Sequence, residues 1–226
     1  MARTKLRDRL LPTYTKGEEL FNMISHIVGG GLGIAALCLC VIFSAIKGSI
    51  SGVLTSVVFG VSMILLYTVS SIYHGLNNNL AKKVFQVLDH CTIYLLIAGT
   101  YTPILVCSVA KTSPLNAWIT FGVVWGLAAL AATLTAIDLK KYSKFSMICY
   151  ICIGWSIIFS IKETYQALTP AGFFLVLGGG ILYSAGTIFY KVGKKKKYFH
   201  SIFHLFILGG SICHILCIFF YVILKL

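Results

Sequence analysis

Apolar positions along this chain gather into long stretches separated by short polar breaks. The stretches cover about 22–46, 50–73, 86–110, 115–136, 145–161, 172–190 and 199–224. Each approaches the roughly 20 residues that a helix needs to cross a bilayer. The breaks contain no Ser/Gly linker and no low-complexity tract. The pattern therefore predicts an all-α membrane protein, a seven transmembrane helix bundle built as one domain over residues 1–226. Residues 1–18 form a short segment ahead of the first span. That span follows basic residues, as the core of a signal peptide does. It exceeds the roughly 7–15 residues of such a core and lacks a small-residue cleavage site, so it reads as a retained helix.

Composition strengthens this picture. Hydrophobic residues make up 58% of the chain and charged residues 11%, and the mean hydropathy of +0.90 lies outside the range of soluble domains. The eight cysteines sit almost entirely within apolar stretches, where a thiol behaves as a small polarisable hydrophobe. Cys149-x-x-Cys152 falls inside a span with no second CxxC, and it reads as packing rather than redox chemistry.

Charge supplies direction. Of the 19 Lys and Arg, 15 fall in the N-terminal segment and the second, fourth and sixth breaks, leaving Lys47, Lys111, Lys162 and Lys225 for the other side. Such a bias across short loops predicts a cytoplasmic N-terminus and an outside C-terminus. The net charge of +13 is thereby a topology signal, not a nucleic-acid footprint. Lys194–Lys197 abuts a span, where a basic cluster meets anionic lipid.

With spans and orientation drawn, the rare polar residues converge on one depth. Glu19, Asn22 and His26 form a stripe at the start of the first helix, and Ser70 and His74 share a face at the end of the second. Asp89 opens the third, and His200 and His204 open the seventh one turn apart. All these positions lie toward the cytoplasmic end. An ionisable side chain within a span is expensive and calls for a partner. Three imidazoles with an open fourth position match a catalytic zinc site, although copper, iron and nickel also accept imidazole. In this reading His74, His200 and His204 hold the metal. Asp89 is the base that hydrogen-bonds water on the metal, and Ser70 supports the same site. Glu19, Asn22 and His26 orient the ligands. His90 points roughly 100° away from Asp89 and reads as an interfacial residue bonded to a carbonyl or a head group. His214, deeper in the bilayer, reads as an interhelical hydrogen-bonding residue. Pro103, within Gly99-Thr100-Tyr101-Thr102-Pro103, should kink the third helix or shift its hydrogen bonding. The glycine triplets 29–31 and 178–180 read as close helix-packing surfaces.

Five segments taken in order resemble the bacterial haemolysin III family. They are Gly17 to His26, Ser70 to His74, Leu88-Asp89-His90, Gly99 to Pro103 and His200 to His204. That family is grouped with the adiponectin and progestin receptors and the alkaline ceramidases. The resemblance implies a seven-helix fold with zinc near the cytoplasmic face, held by His74, His200 and His204, with Asp89 and Ser70 beside it. Two functions then stand open. One is a zinc-dependent hydrolase of lipid amide or ester bonds, with membrane lipids as substrate and a role in lipid homeostasis. The other is a haemolytic, pore-forming or lipid-sensing protein in which zinc is structural. A wide aqueous pore would need polar residues through the full depth of several helices, and here they cluster at one end.

Overall fold

The computed structural model describes residues 4–193 and 196–226. Arg3, Lys194 and Lys195, which contribute to the charge bias, lie outside the described residues. Among those described there is no strand. Helix α1 spans Lys16–Ile46 and α2 Ile50–Gly75, and the turn between them passes through Gly48 at φ 65°. Helix α3 spans Leu80–Ile104 and continues through a π-helical turn, Leu105–Val109, to Thr112. Helix α4 covers Pro114–Ile137, α5 Ser143–Gly154, α6 Ile161–Gly193 and α7 Phe199–Cys217.

Two helices begin well before their apolar runs because caps start them. Thr15 accepts the Glu18 N–H at 3.2 Å while the Glu18 carboxylate accepts the Thr15 N–H at 2.8 Å, a reciprocal capping box. Asn79 caps α3 by accepting the Lys82 N–H at 3.0 Å. The added turns are polar and so escape a hydropathy reading. They also bring Glu18, Glu19 and Lys82 into helices.

Six helical segments among the described residues are long and apolar enough to cross a membrane. The fifth is Ser143–Gly193, which contains both the 145–161 and the 172–190 runs. A tight 3₁₀ turn, Ser156–Ser160, joins α5 to α6, and α6 breaks at Thr169, whose φ of 63° and ψ of 164° are not helical. Positive φ is costly for a β-branched residue, and Pro170 keeps the preceding residue out of the helical region. Helix α3 runs unbroken through Pro103, and a π-helical turn, a local change in hydrogen-bonding register, follows at Leu105–Val109.

In lipid, helices associate through close packing and polar contacts rather than hydrophobic burial. The glycine triplets serve this only in part. A Cβ at Gly29 would collide with the Tyr67 ring and one at Gly179 with His214, whereas Gly31 and Gly178 face open space. Tyr67 donates to Ser211 Oγ at 2.7 Å, Tyr183 meets the same oxygen at 2.8 Å, and His214 donates to the Val176 carbonyl at 3.2 Å. These bonds join α2, α6 and α7.

Contacts at one end tie the N-terminal segment to α3 and to Asp138 just after α4, and tie α1 to Tyr198 just before α7. The Lys83 amine donates to the Arg7 carbonyl at 2.5 Å, the Thr4 N–H to Asp138 at 2.8 Å, and the Tyr198 N–H to Glu18 at 2.6 Å. The N–H groups of Thr4, Lys141 and Lys140 hold the Asp138 carboxyl below its ordinary range.

Candidate metal centre

Two helices deliver the three histidines of this centre. His74 closes α2, and His200 and His204 open α7 one turn apart. One ligand atom from each of the three lies within 4.8 Å of the others. Two α7 residues at this spacing share a face. The α1 residue Glu18 anchors the backbone just ahead of them through the Tyr198 N–H.

The carboxylate of Glu19 settles which nitrogen of His74 is available. Its Oε2 lies 2.6 Å from His74 Nδ1. An ionised carboxylate only accepts, so Nδ1 carries the proton and Nε2 keeps its lone pair. That Nε2 is buried without a hydrogen-bond partner. Lys82 holds the other oxygen of Glu19 at 2.6 Å and donates also to the Leu76 carbonyl at 2.9 Å. Lys82 is only 4% exposed. A lysine counted among the loop cations is therefore a buried member of a Lys82–Glu19–His74 chain. Only its pairing with Glu19, on a different helix, could have revealed this.

Replacing Lys82 by methionine should free Glu19 to turn away from His74. Metal affinity is then expected to fall by roughly 10–100-fold, the usual cost of losing an outer hydrogen-bonding partner. Competition against a chromogenic chelator measures it. An unchanged affinity in Lys82→Met alongside a reduced one in Glu19→Gln would confine Lys82 to closing the helix end.

The remaining residues of the polar cluster take distinct places. Ser70 and His74, one turn apart on α2, both interact electrostatically with the Asp89 carboxylate. Asp89 is not one of the residues whose ligand atoms form the 4.8 Å set. Asn22 is fully buried with both amide atoms unpartnered. His26 stacks on His204 with ring centroids 3.8 Å apart and meets Tyr67 edge-on at 5.0 Å. His90 engages the Gln86 carbonyl at 2.8 Å and the Tyr190 hydroxyl at 3.2 Å, outside the histidine set. Tyr14 of the N-terminal segment stacks on His200 at 4.8 Å, and its ring lies 5.9 Å from that of His74. Burial pushes its phenol up, and Tyr190, Glu19 and Asp89 add to the shift, so the ring stays neutral.

The donor set fits a metal. His200 Nε2 and His204 Nε2 lie 3.1 Å apart, close to the roughly 3.3 Å separating two nitrogens bound at ~2.0–2.1 Å to one tetrahedral ion. His74 contributes a buried, unpartnered Nε2 whose opposite nitrogen is fixed by a carboxylate, the arrangement seen at metal-ligating histidines. The three histidines can hold a metal ion.

Fold and site define the class as an all-helical, multi-pass membrane protein with a buried three-histidine centre at one end of the bundle. The family model described as "Haemolysin-III related" matches residues 14–215. The chain belongs to this family. It is 43% identical over 206 residues to the protein named Hemolysin-3 of Bacillus cereus, covering 91% of this chain and 92% of that one. It is 39% identical over 208 residues to the Hemolysin-3 homolog of Bacillus subtilis (strain 168), covering 92% and 96%. The human Monocyte to macrophage differentiation factor is 24% identical over 169 residues, covering 71% and 67%. Six apolar helices and these Bacillus relatives identify a multi-pass bacterial membrane protein.

Proposed function

We propose that this protein is a zinc-dependent hydrolase acting on amide or ester bonds of membrane lipids, with a role in lipid homeostasis. The observation that carries the reading is the triad of buried histidines with His74 Nε2 held free by Glu19. Among divalent ions, three imidazole donors favour zinc. Bound there, zinc supplies carbonyl polarisation and activation of water near neutral pH. Asp89 accepts the proton of the attacking water at its carboxylate and returns it to the leaving group. Ser70, which interacts with Asp89, orients that carboxylate. Asn22 offers an unpartnered buried amide that can hold a substrate carbonyl. Tyr14 and the N-terminal segment shield the site from bulk water.

The proposed bundle has seven transmembrane helices with a cytoplasmic N-terminus. A continuous helix over Ser143–Gly193 would be roughly 77 Å long, more than twice the ~30 Å hydrocarbon core, so the break at Thr169 supports two crossings. The charge bias supports the orientation. A reporter that works only in the cytoplasm, fused after Leu226, should be inactive, and one that works only outside should be active. The reverse result would invert the bundle and place the metal centre at the outer face.

The name of the Bacillus relatives favours a second reading, membrane lysis with zinc as a structural ion. Lipids extracted from membranes incubated with purified wild type and with a His74→Ala variant separate the two. The hydrolase reading expects free acyl chains to accumulate with wild type only. Leakage without change in lipid composition would support lysis.

A further inference from the structure

The three histidines come from two helices, His74 from α2 and His200 and His204 from α7. Their mutual geometry therefore depends on how α2 is held relative to α7. Two turns before His74 on α2 stands Tyr67, and two turns after His204 on α7 stands Ser211. Each shares a face with its histidine and lies about 10 Å from it along the helix. The Tyr67 hydroxyl donates to Ser211 Oγ at 2.7 Å. The two helices thus meet at two levels, through the histidines toward one end and through this hydrogen bond two turns deeper. Tyr183 of α6 meets the same serine oxygen at 2.8 Å. Tyr67 and Ser211 are buried, and within a span a hydroxyl without a partner is costly, so the bonds at Ser211 resist opening.

Tyr67 also reaches the triad through its ring. Gly29, one turn along α1 from His26, lets that ring lie against α1, since a Cβ there would collide with it. So placed, the Tyr67 ring meets His26 edge-on with centroids 5.0 Å apart. His26 in turn stacks on His204 at 3.8 Å. Neither ring nitrogen of His26 has a hydrogen-bond partner. What His26 gives His204 is therefore a flat surface and not a bond.

We propose that Tyr67, fixed by Ser211 and Tyr183, is a positioning residue for the metal centre. Its hydroxyl sets the spacing of α2 from α7, and its ring, through His26, sets the plane of the His204 imidazole. The inference rests on the triad holding a metal and not on lipid hydrolysis.

The test loads the full-length protein in nanodiscs with Co(II), whose visible absorption reports the number and geometry of its ligands. Tyr67→Phe keeps the ring and removes the hydroxyl. It should weaken Co(II) binding roughly 2–10-fold, the worth of one hydrogen bond, and shift the visible bands from their wild-type positions. Ser211→Ala, which frees both tyrosines, should weaken binding at least as much, and adding Tyr67→Phe to it should change little further. His26→Ala should also shift the bands, whereas His26→Phe, which restores a ring against His204, should return them. Tyr101→Phe is the control for lost stability alone. The Tyr101 hydroxyl donates to the Gly154 carbonyl and accepts the Ile157 N–H, each at 2.8 Å, and so joins α3 to the turn between α5 and α6. This variant should melt at lower temperature with its Co(II) bands unchanged. If Tyr67→Phe does not fold, Tyr183→Phe, which loses one of the two bonds at Ser211, carries the same comparison. Wild-type bands and affinity in Tyr67→Phe, or bands shifted as far by Tyr101→Phe, would overturn the proposal and leave the hydroxyls as ordinary interhelical bonds. Bands that are the same in wild type and His204→Ala would remove the metal centre and the proposal with it. Bands that depend on Tyr67 in a protein that hydrolyses no lipid would keep the positioning role and dismiss the hydrolase.

Discussion

His204→Ala is expected to lose nearly all of the zinc that purified wild type carries, from about one ion per chain. Three protein ligands are the minimum of a catalytic zinc site, and two imidazoles hold the ion far more weakly. The histidine is 2% exposed, so truncation also opens a cavity, and the control must share that defect. His214→Ala provides it, for His214 is a buried imidazole of the same helix, bonded to the Val176 carbonyl and outside the triad. Both variants should melt at lower temperature than wild type. Only His204→Ala should become insensitive to chelator, because an ion that binds the folded state alone adds about 2.7 kcal/mol at a hundredfold excess over its Kd. Elemental analysis and melting with and without chelator supply the readings. Full zinc content in His204→Ala, and in single alanine variants of His74 and His200, would dismiss the triad as a metal site.

Asp89→Asn should separate chemistry from metal binding. The substitution preserves shape and leaves an acceptor for the Ser70 hydroxyl, but it removes the group that takes the proton. Zinc content and melting temperature are expected to stay near wild type, since Asp89 contributes no atom to the ligand set. Lipid hydrolysis should fall roughly 10²–10⁴-fold, the range for loss of a positioned general base. Ser70→Ala should cost less, because it loosens the carboxylate without removing it. Combined with Asp89→Asn, it should add little, as groups acting as a unit are not additive. Initial rates on a fluorogenic amide lipid, with zinc measured on the same samples, provide the comparison. Full activity in Asp89→Asn, or zinc loss as complete as in His204→Ala, would replace the catalytic role by a structural one.

Much of this organisation is local and therefore legible along the chain. A spanning helix needs a continuous apolar run because lipid cannot satisfy backbone groups, so the runs could be read before any contact was known. His200 and His204 share a face by helical geometry alone. His74 and Asp89 joined them because burial at one depth makes isolated polar groups costly, and cost of that kind is visible in composition. The long-range partners were not legible in this way. Lys82 looked like one more loop cation until α1 placed Glu19 against it at 2.6 Å. The helix starts at Lys16 and Leu80 depend on caps whose turns are too polar for a hydropathy window. Tyr14 meets His200 only through a contact between opposite ends of the chain.

The sequence by itself determined that the chain lives in a bilayer and that its rare polar groups gather at one end, since both follow from the free energy of placing single residues in hydrocarbon. Tertiary structure alone decided which nitrogen of His74 is free, that Lys82 and Glu19 hold that ring, and that His26 stacks on His204. Those are relations between helices distant in the chain. They depend on angstrom-scale packing set by small residues such as Gly29 against Tyr67, and no periodicity within a single helix encodes them.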